Sequence, residues 1–128
     1  VINNIKEDYI LIKGVLRMRR DLKNIDDPII KDILDLLIPI QDPELGLSIV
    51  DLGLVYDIRY DLDKKELEID VTLTTPYCPW GDAMLNQIEE AVKGYKGFQK
   101  VSVNVVWDPP YNPMEMAEDY IKEMIGLY

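Results

Sequence analysis

The chain has 128 residues, 48% hydrophobic and 30% charged, the balance of one globular domain with a core of its own. It carries 24 acidic against 14 basic residues, no histidine and one cysteine, for a formal charge of -10. These counts exclude an intramolecular disulfide framework, a self-contained multi-cysteine zinc site and every histidine-based mechanism. They also argue against non-specific nucleic-acid binding and against docking on an anionic membrane through a basic face. No apolar run approaches the roughly 20 residues that cross a bilayer. The first residues, Val1 to Asp8, lack a signal-peptide hydrophobic region, so the free cysteine points to the cytoplasm.

Residues 9 to 20 are rich in β-branched side chains and read as a strand with a bulge or bend at Gly14; a short helix over Val15 to Arg20 is the alternative. Arg17, Arg19, Arg20 and Lys23 read as a solvated strand edge that resists pairing. Asp27 caps a helix that Pro28 opens, Ile29, Ile30, Ile33, Leu34 and Leu37 form its apolar stripe, and Pro39 ends it. Ile40 to Leu54 mixes turn residues with apolar ones and reads as a loop pinned by Leu47, Ile49, Val50 and Leu52.

A strand over Val55 to Tyr60, a turn at Asp61 to Lys65 and a strand over Leu67 to Thr74 form a hairpin. In the second strand Leu67, Ile69, Val71 and Leu73 face in, and Glu68, Asp70, Thr72 and Thr74 face the other way. A helix from Asp82 to Lys93 buries Met84, Leu85, Ile88, Ala91 and Val92, and Gly94 and Gly97 bracket its exit. A third strand covers Gln99 to Trp107, with Val101, Val103, Val105 and Trp107 on one side, so that Trp107 packs at the strand end. After the turn Asp108-Pro109-Pro110-Tyr111, Asn112 caps a last helix with Pro113 first and Glu115 placed to close a capping box. Its stripe is Met114, Ala117, Ile121, Met124 and Ile125, and Glu115, Glu118, Asp119 and Glu123 form its wet face.

The order from residue 28 is helix, strand, strand, helix, strand, helix. It predicts an α+β fold: a two-layer α/β sandwich on a small mixed sheet, with a parallel strand–helix–strand crossover. Residues 1–27 read as an N-terminal extension with room for an edge strand or a dimer arm, and residues 28–128 as the α/β domain.

The reactive position is Cys78, in Thr74-Thr75-Pro76-Tyr77-Cys78-Pro79-Trp80-Gly81-Asp82 between a central strand and a helix start. Unpaired N–H groups at a helix start favour a thiolate, and the flanking prolines limit local motion. Such a thiolate suits a soft metal or an electrophile; the alternative is an inert buried cysteine. Asp42, Glu44 and Asp51 are the carboxylates of the preceding loop. Asp51 either orients a donor near Cys78 or, as the better reading, clamps the loop by accepting backbone N–H bonds. Thr74 and Thr75 offer hydroxyls to a ligand or satisfy the helix start. A nearby carboxylate opposes thiolate formation, which favours metal ligation over covalent catalysis and predicts a non-enzyme. One cysteine cannot hold an iron–sulfur centre that takes four ligands, so a second chain, small thiols or a client must supply the rest. Trp80 and Tyr111 are candidates for a protein-contact surface.

Four segments in order, Asp42-Pro43-Glu44-Leu45-Gly46, Ile49-Val50-Asp51-Leu52-Gly53-Leu54-Val55, Leu73-Thr74-Thr75-Pro76-Tyr77-Cys78-Pro79 and Val106-Trp107-Asp108-Pro109-Pro110-Tyr111, resemble the small iron–sulfur assembly domain family, which includes SufT, PaaD and the cytosolic iron–sulfur targeting factors. The resemblance covers about residues 28 to 128. It implies a small α/β domain and an accessory role in iron–sulfur protein maturation, with Cys78 at the cysteine of the Thr-Pro-x-Cys-Pro pattern and Asp51 at the characteristic loop aspartate. It implies a cluster held transiently and shared between chains or with a client; a chain with no permanently bound cluster is equally compatible. The partners implied are client apo-proteins or the assembly machinery; a homodimer is expected from ligand counting alone. The alternative is a metal-free adaptor or accessory subunit of a multicomponent metabolic enzyme. Two residues depart from the pattern: Tyr111 stands where the family often has Trp, and Tyr77 replaces the usual small residue before the cysteine.

Overall fold

The computed structural model describes residues 9–12, 15–75 and 79–126, with the side chains of 21–75 and 79–124. Helix α1 (Pro28–Leu37) starts where the Asp27 carboxylate accepts the N–H groups of Ile29 at 2.9 Å and Ile30 at 3.3 Å. Those are two of the donors that a helix start leaves open. The second oxygen of Asp27 accepts the Tyr60 hydroxyl at 2.8 Å and ties the helix start to the sheet. Ile30, Ile33, Leu34 and Leu37 are buried, each contributing about 1.5–3 kcal/mol of hydrophobic stabilisation.

The central sheet has strand order β3-β4-β5, with β3 (Val55–Asp61) antiparallel to β4 (Glu66–Val71) and β4 parallel to β5 (Lys100–Val105). The hairpin turn is set by the Asp61 carboxylate, which accepts the N–H groups of Asp63 at 3.0 Å and Lys64 at 3.1 Å. Helix α2 (Gly81–Val92) crosses from β4 to β5 and buries Met84, Ile88 and Val92 in the core shared with α1. The expected α+β order and mixed sheet are therefore present.

On the core face Ile58 lies opposite Ile69 and Tyr60 opposite Leu67; Leu67, Ile69 and Val71 are buried. A one-residue irregularity between Val55 and Asp57 re-aims Tyr56, whose hydroxyl donates to the Pro109 carbonyl at 2.8 Å. The other face is more enclosed than simple alternation predicts. Asp57, Asp70 and Thr72 are buried there rather than solvated. The Arg59 guanidinium bonds Asp57 at 2.8 Å, Asp70 at 2.7 and 3.0 Å and Glu68 at 3.0 Å, and the Asn104 amide donates to Asp70 at 3.1 Å. Burial pulls the Arg59 pKa down, but the bonds and charges of Asp70, Glu68 and Asp57 outweigh it and hold the guanidinium above its ordinary value.

Four expectations are corrected. Residues 9–20 form two strands, β1 (Tyr9–Ile12) and β2 (Val15–Arg20), paired antiparallel; Val15–Arg20 is not a helix, and Gly14 lies outside the described residues. This hairpin makes its own two-stranded sheet instead of adding an edge strand to the central one. β4 ends at Val71 rather than Thr74, and β5 at Val105 rather than Trp107, so Trp107 falls outside the strand alternation and is 48% exposed instead of packed.

The last helix is two helices, α3 (Pro113–Met116) and α4 (Asp119–Gly126). Ala117 takes extended angles, φ −85° and ψ 162°, and turns the Glu118 N–H to the Asp51 carbonyl at 2.8 Å. The Asn112 side chain does cap Met114 N–H at 3.0 Å. The expected reciprocal bond from Glu115 is replaced: Asn112 N–H donates to the Met116 sulfur at 3.3 Å. Ala117 and Ile121 are buried as predicted, while Met114 and Met124 are each 49% exposed.

Candidate functional site

The connection from β4 to α2 leaves the centre of the sheet at Leu73, which is buried. Thr74 and Thr75 follow, half-buried. Pro76, Tyr77 and Cys78 lie outside the described residues. The chain is described again at exposed Pro79 and at Trp80, whose carbonyl accepts the Met84 N–H at 3.0 Å and opens α2. The segment that carries Cys78 therefore spans a strand end and the start of a twelve-residue helix, as the sequence predicts. Trp80 is the non-helical residue ahead of that helix, packs partly against the core, and has an indole N–H buried without a partner among the described residues.

The loop ahead of β3 meets this segment through Asp42. Its carboxylate accepts the N–H groups of Glu44 at 2.9 Å and Leu45 at 3.1 Å, and the Thr74 hydroxyl lies 3.5 Å from its other oxygen. The Asp42 backbone closes the same turn, donating to Leu47 at 2.9 Å and accepting from Gly46 at 2.7 Å; Gly46 takes φ +69°. Asp42 is 1% exposed, so its carboxylate shapes the loop, while Glu44 is exposed. The loop-clamp role expected of Asp51 thus belongs to Asp42.

Asp51 does something different. Its carboxylate accepts the Tyr120 hydroxyl at 2.6 Å and lies 3.5 Å from the Lys23 ammonium, which also pairs with Glu118. The bond to Asp51 raises the Tyr120 pKa above its ordinary value, with burial adding to the effect. Asp51 is therefore a junction among the 3-10 turn Leu22–Asn24, the loop and α4. Two residues further on, Gly53 has φ +81°, and a Cβ there would lie 2.2 Å from the Met116 carbonyl oxygen. That position requires glycine both for its backbone angle and for the close approach of α3.

Tyr111 is half-buried against the core and donates its hydroxyl to the Leu52 carbonyl at 2.6 Å. Its ring braces the Asp51-Leu52-Gly53 loop, a tie that the reading of Tyr111 as a contact residue did not include. Tyr120 and the Arg59 cluster were also missed, and Lys23, read as part of a solvated strand edge, lies instead in the turn Leu22–Asn24 and pairs with Asp51 and Glu118. The Arg59 cluster had a signal in the hairpin register, which places Arg59 opposite Glu68 beside Asp70. Lys23 and Tyr120 had none, since only tertiary packing brings them to Asp51. Among the described residues no three of Cys, Asp and Glu gather in a metal-binding arrangement.

A three-stranded mixed sheet backed by two helices, with a Thr-Thr-Pro-Tyr-Cys-Pro segment between its central strand and the crossover helix, defines a small α+β protein built around one cysteine-bearing connection. The chain belongs to the iron–sulfur cluster assembly protein family, which it matches over residues 30–105. It is 38% identical over 86 residues to the Fe-S protein maturation auxiliary factor SufT of Staphylococcus aureus, covering 67% of this chain and 96% of that one. It is 35% identical over 98 residues to the Fe-S protein maturation auxiliary factor YitW of Bacillus subtilis, covering 76% and 93%. Among solved structures, a conserved hypothetical protein of Thermotoga maritima is 41% identical with a TM-score of 0.65, covering 75% of this chain and 92% of that one. A domain of unknown function from Bacillus anthracis has a TM-score of 0.66 at 30% identity, covering 77% and 92%.

Proposed function

We propose that the chain is a non-catalytic accessory factor in iron–sulfur protein maturation that carries or targets a cluster through Cys78. The observation that carries this reading is the placement of the cysteine segment: it follows the central strand and precedes α2 in a chain whose family and relatives are those of iron–sulfur assembly. The cluster is cargo. One thiolate leaves most cluster ligands to be supplied by a client apo-protein, the assembly machinery or a second chain, which suits transfer rather than storage. Asp42 and Thr74 tie the loop to the start of the cysteine segment, Thr75 follows in that segment, Glu44 lies exposed in the same loop, and Asp51 fixes the loop through Tyr120 and Lys23. Trp80 ends the same connection and, half-buried, supplies apolar area for a protein partner. Residues 28–128 form the assembly-type domain, residues 1–27 are an extension upon it, and the site of action is the cytoplasm. No helix among the described residues is long and apolar enough to cross a membrane.

The test is anaerobic reconstitution with ferrous iron and sulfide, comparing wild type with Cys78→Ser by visible absorption, by iron and sulfide per chain, and by transfer to an apo-protein. The expected outcome is a labile cluster in the wild type alone, with the far-UV spectrum unchanged in the variant. No cluster in either protein, or equal cluster in both, overturns the carrier reading and leaves the metal-free adaptor.

A further inference from the structure

We infer that the hairpin β1–β2 is a strap, held by charge over the β3–β4 side of the sheet's outer face and released by salt. Helices α1 and α2 pack on the inner face. The outer face is unevenly enclosed. On β3 and β4, Asp57 is 0% and Asp70 5% exposed, and Thr72 just beyond them is buried. On β5, Asn104 is exposed and Ser102 half-buried. The cover therefore lies toward β3, and β2 runs against β3.

Charge identifies the hairpin as that cover. Burying a carboxylate is costly unless a cation pairs with it. Asp57, Asp61 and Asp70 are buried, with Glu68 beside them, and among the described residues Arg59 is the one cation that pairs with Asp57, Glu68 and Asp70. Asp57 lies directly opposite Asp70 in the ladder, a juxtaposition of like charges that needs more positive charge than one guanidinium supplies. Residues 9–20 carry Lys13, Arg17, Arg19 and Arg20 and no acid, in a chain of charge -10. The hairpin thus brings cations to the side of the sheet where buried acid is in excess.

The attachment is built to release. β1 and β2 bond to each other, and no backbone ladder joins them to the sheet β3-β4-β5. The chain re-enters the core directly after the hairpin, at Leu22, which is buried in the turn Leu22–Asn24. The hairpin can lift about Asp21 without breaking a ladder bond and with Leu22 still seated. Lifted, it bares an acidic face and frees its own four cations; closed, the two sets of charge cancel. Salt screens that attraction, whereas apolar packing alone would not weaken in sodium chloride.

The inference goes beyond the cluster reading and is tested on metal-free protein. Accessible carboxylates are labelled with a carbodiimide and glycine ethyl ester and located by mass spectrometry, with exposed Asp63 as the internal reference. Sodium chloride is raised from about 10 mM to about 1 M, which shortens the screening length from about 30 to about 3 Å. The expected result is several-fold faster labelling of Asp57 and Asp70 relative to Asp63 in high salt, with no rise in sucrose of equal osmolality. Arg17→Gln/Arg19→Gln/Arg20→Gln reaches the high-salt rate already in low salt. That variant separates the strap from Arg59, whose bonds to the two aspartates salt also weakens. Should it lose its native far-UV spectrum, the three substitutions are made singly, and at least one raises the low-salt rate. Wild-type labelling that ignores salt, or that rises equally in sucrose, overturns the inference. So does a folded triple variant labelled at the wild-type low-salt rate, or three single variants that all label at that rate.

Discussion

The Tyr120 hydroxyl and the Asp51 carboxylate are 2.6 Å apart, so a residue beyond the family-matched span, residues 30–105, holds an aspartate within it. The Lys23 ammonium reaches the same carboxylate from before that span. Tyr120→Phe removes one of these two ties. We expect at most about 1 kcal/mol of lost stability, because the pair is exposed and screened. The more telling change is local: amides in α4 should exchange faster while those of α2 do not. Equal acceleration in both helices would show that the bond does not specifically anchor α4.

Asp42 works through backbone donors, and its removal is the sharper lesion. Asp42→Ala leaves the N–H groups of Glu44 and Leu45 without their acceptor in a buried turn. Each such orphan costs about 1–3 kcal/mol, and water recovers part of it where the loop opens. We expect a loss of roughly 2 kcal/mol and slower cluster transfer with Cys78 intact. Asp42→Asn keeps one acceptor oxygen and should fall between the two. Unchanged transfer in a folded Asp42→Ala protein would separate the loop from function.

Gly53→Ala forces an L-residue into φ +81° and drives a methyl group toward the Met116 carbonyl. The backbone angle alone costs about 1–2 kcal/mol. Displacing α3 adds to it, for a total of roughly 2–4 kcal/mol. Thermal melting reads this as a fall of several degrees. Gly46→Ala, at φ +69° with open space around it, should cost only the backbone share. Equal effects at the two glycines would refute the close-approach argument.

Arg59→Leu removes the cation that pairs with buried Asp57 and Asp70 and should cost about 3–5 kcal/mol, the usual penalty for removing one partner of a buried ion pair. Arg59→Lys restores charge without the fork geometry and should recover part of the loss. Urea unfolding at pH 7 reads both differences. A loss below about 1 kcal/mol in folded Arg59→Leu would contradict this account.

Tyr95 gives an alkaline signature. Burial, then the hydrogen bond to Asp32 at 2.7 Å, push its phenol up to about 12. A folded pKa above the unfolded value means that this stabilisation is complete below pH ~10 and is lost as pH rises toward 12. Absorbance at 295 nm should show a late-titrating step in the folded protein, and Tyr95→Phe should lower its amplitude by one tyrosine, leaving that of Tyr120.

Helix α1 was legible because Asp27, Pro28 and the stripe through Leu37 all agree on one element. The core face of β4 was legible because strict alternation has a single reading. The split of the C-terminal helix was not legible. The Met114-Ala117-Ile121-Met124 spacing fits one continuous helix, and the break at Ala117 depends on the Glu118 N–H reaching Asp51, a tertiary bond with no local trace. The enclosed outer face was hidden for a similar reason: Asp70 and Thr72 look solvated in alternation, and only Arg59 and Asn104 show how Asp70 is accommodated. At the candidate site, motif order located the connection around Cys78 and the loop acids. It could not divide labour between Asp42 and Asp51, because both are aspartates in turn-rich sequence.

The hairpin β3–β4 closes over four residues, Leu62 to Lys65, while β5 meets β4 only after an offset of 34 residues, Glu66 opposite Lys100. Local pairing therefore has a far smaller chain-entropy cost than the parallel pairing. The Thr74–Trp80 connection joins the part that can assemble early to the part that must dock late. Transient undocking of α2 and β5 would release that connection while the hairpin persists. In native-state exchange we expect a sub-global opening in which α2 and β5 amides share one free energy, lower than that of β3 and β4. Such an opening would lend the cysteine segment reach toward a client without unfolding the chain.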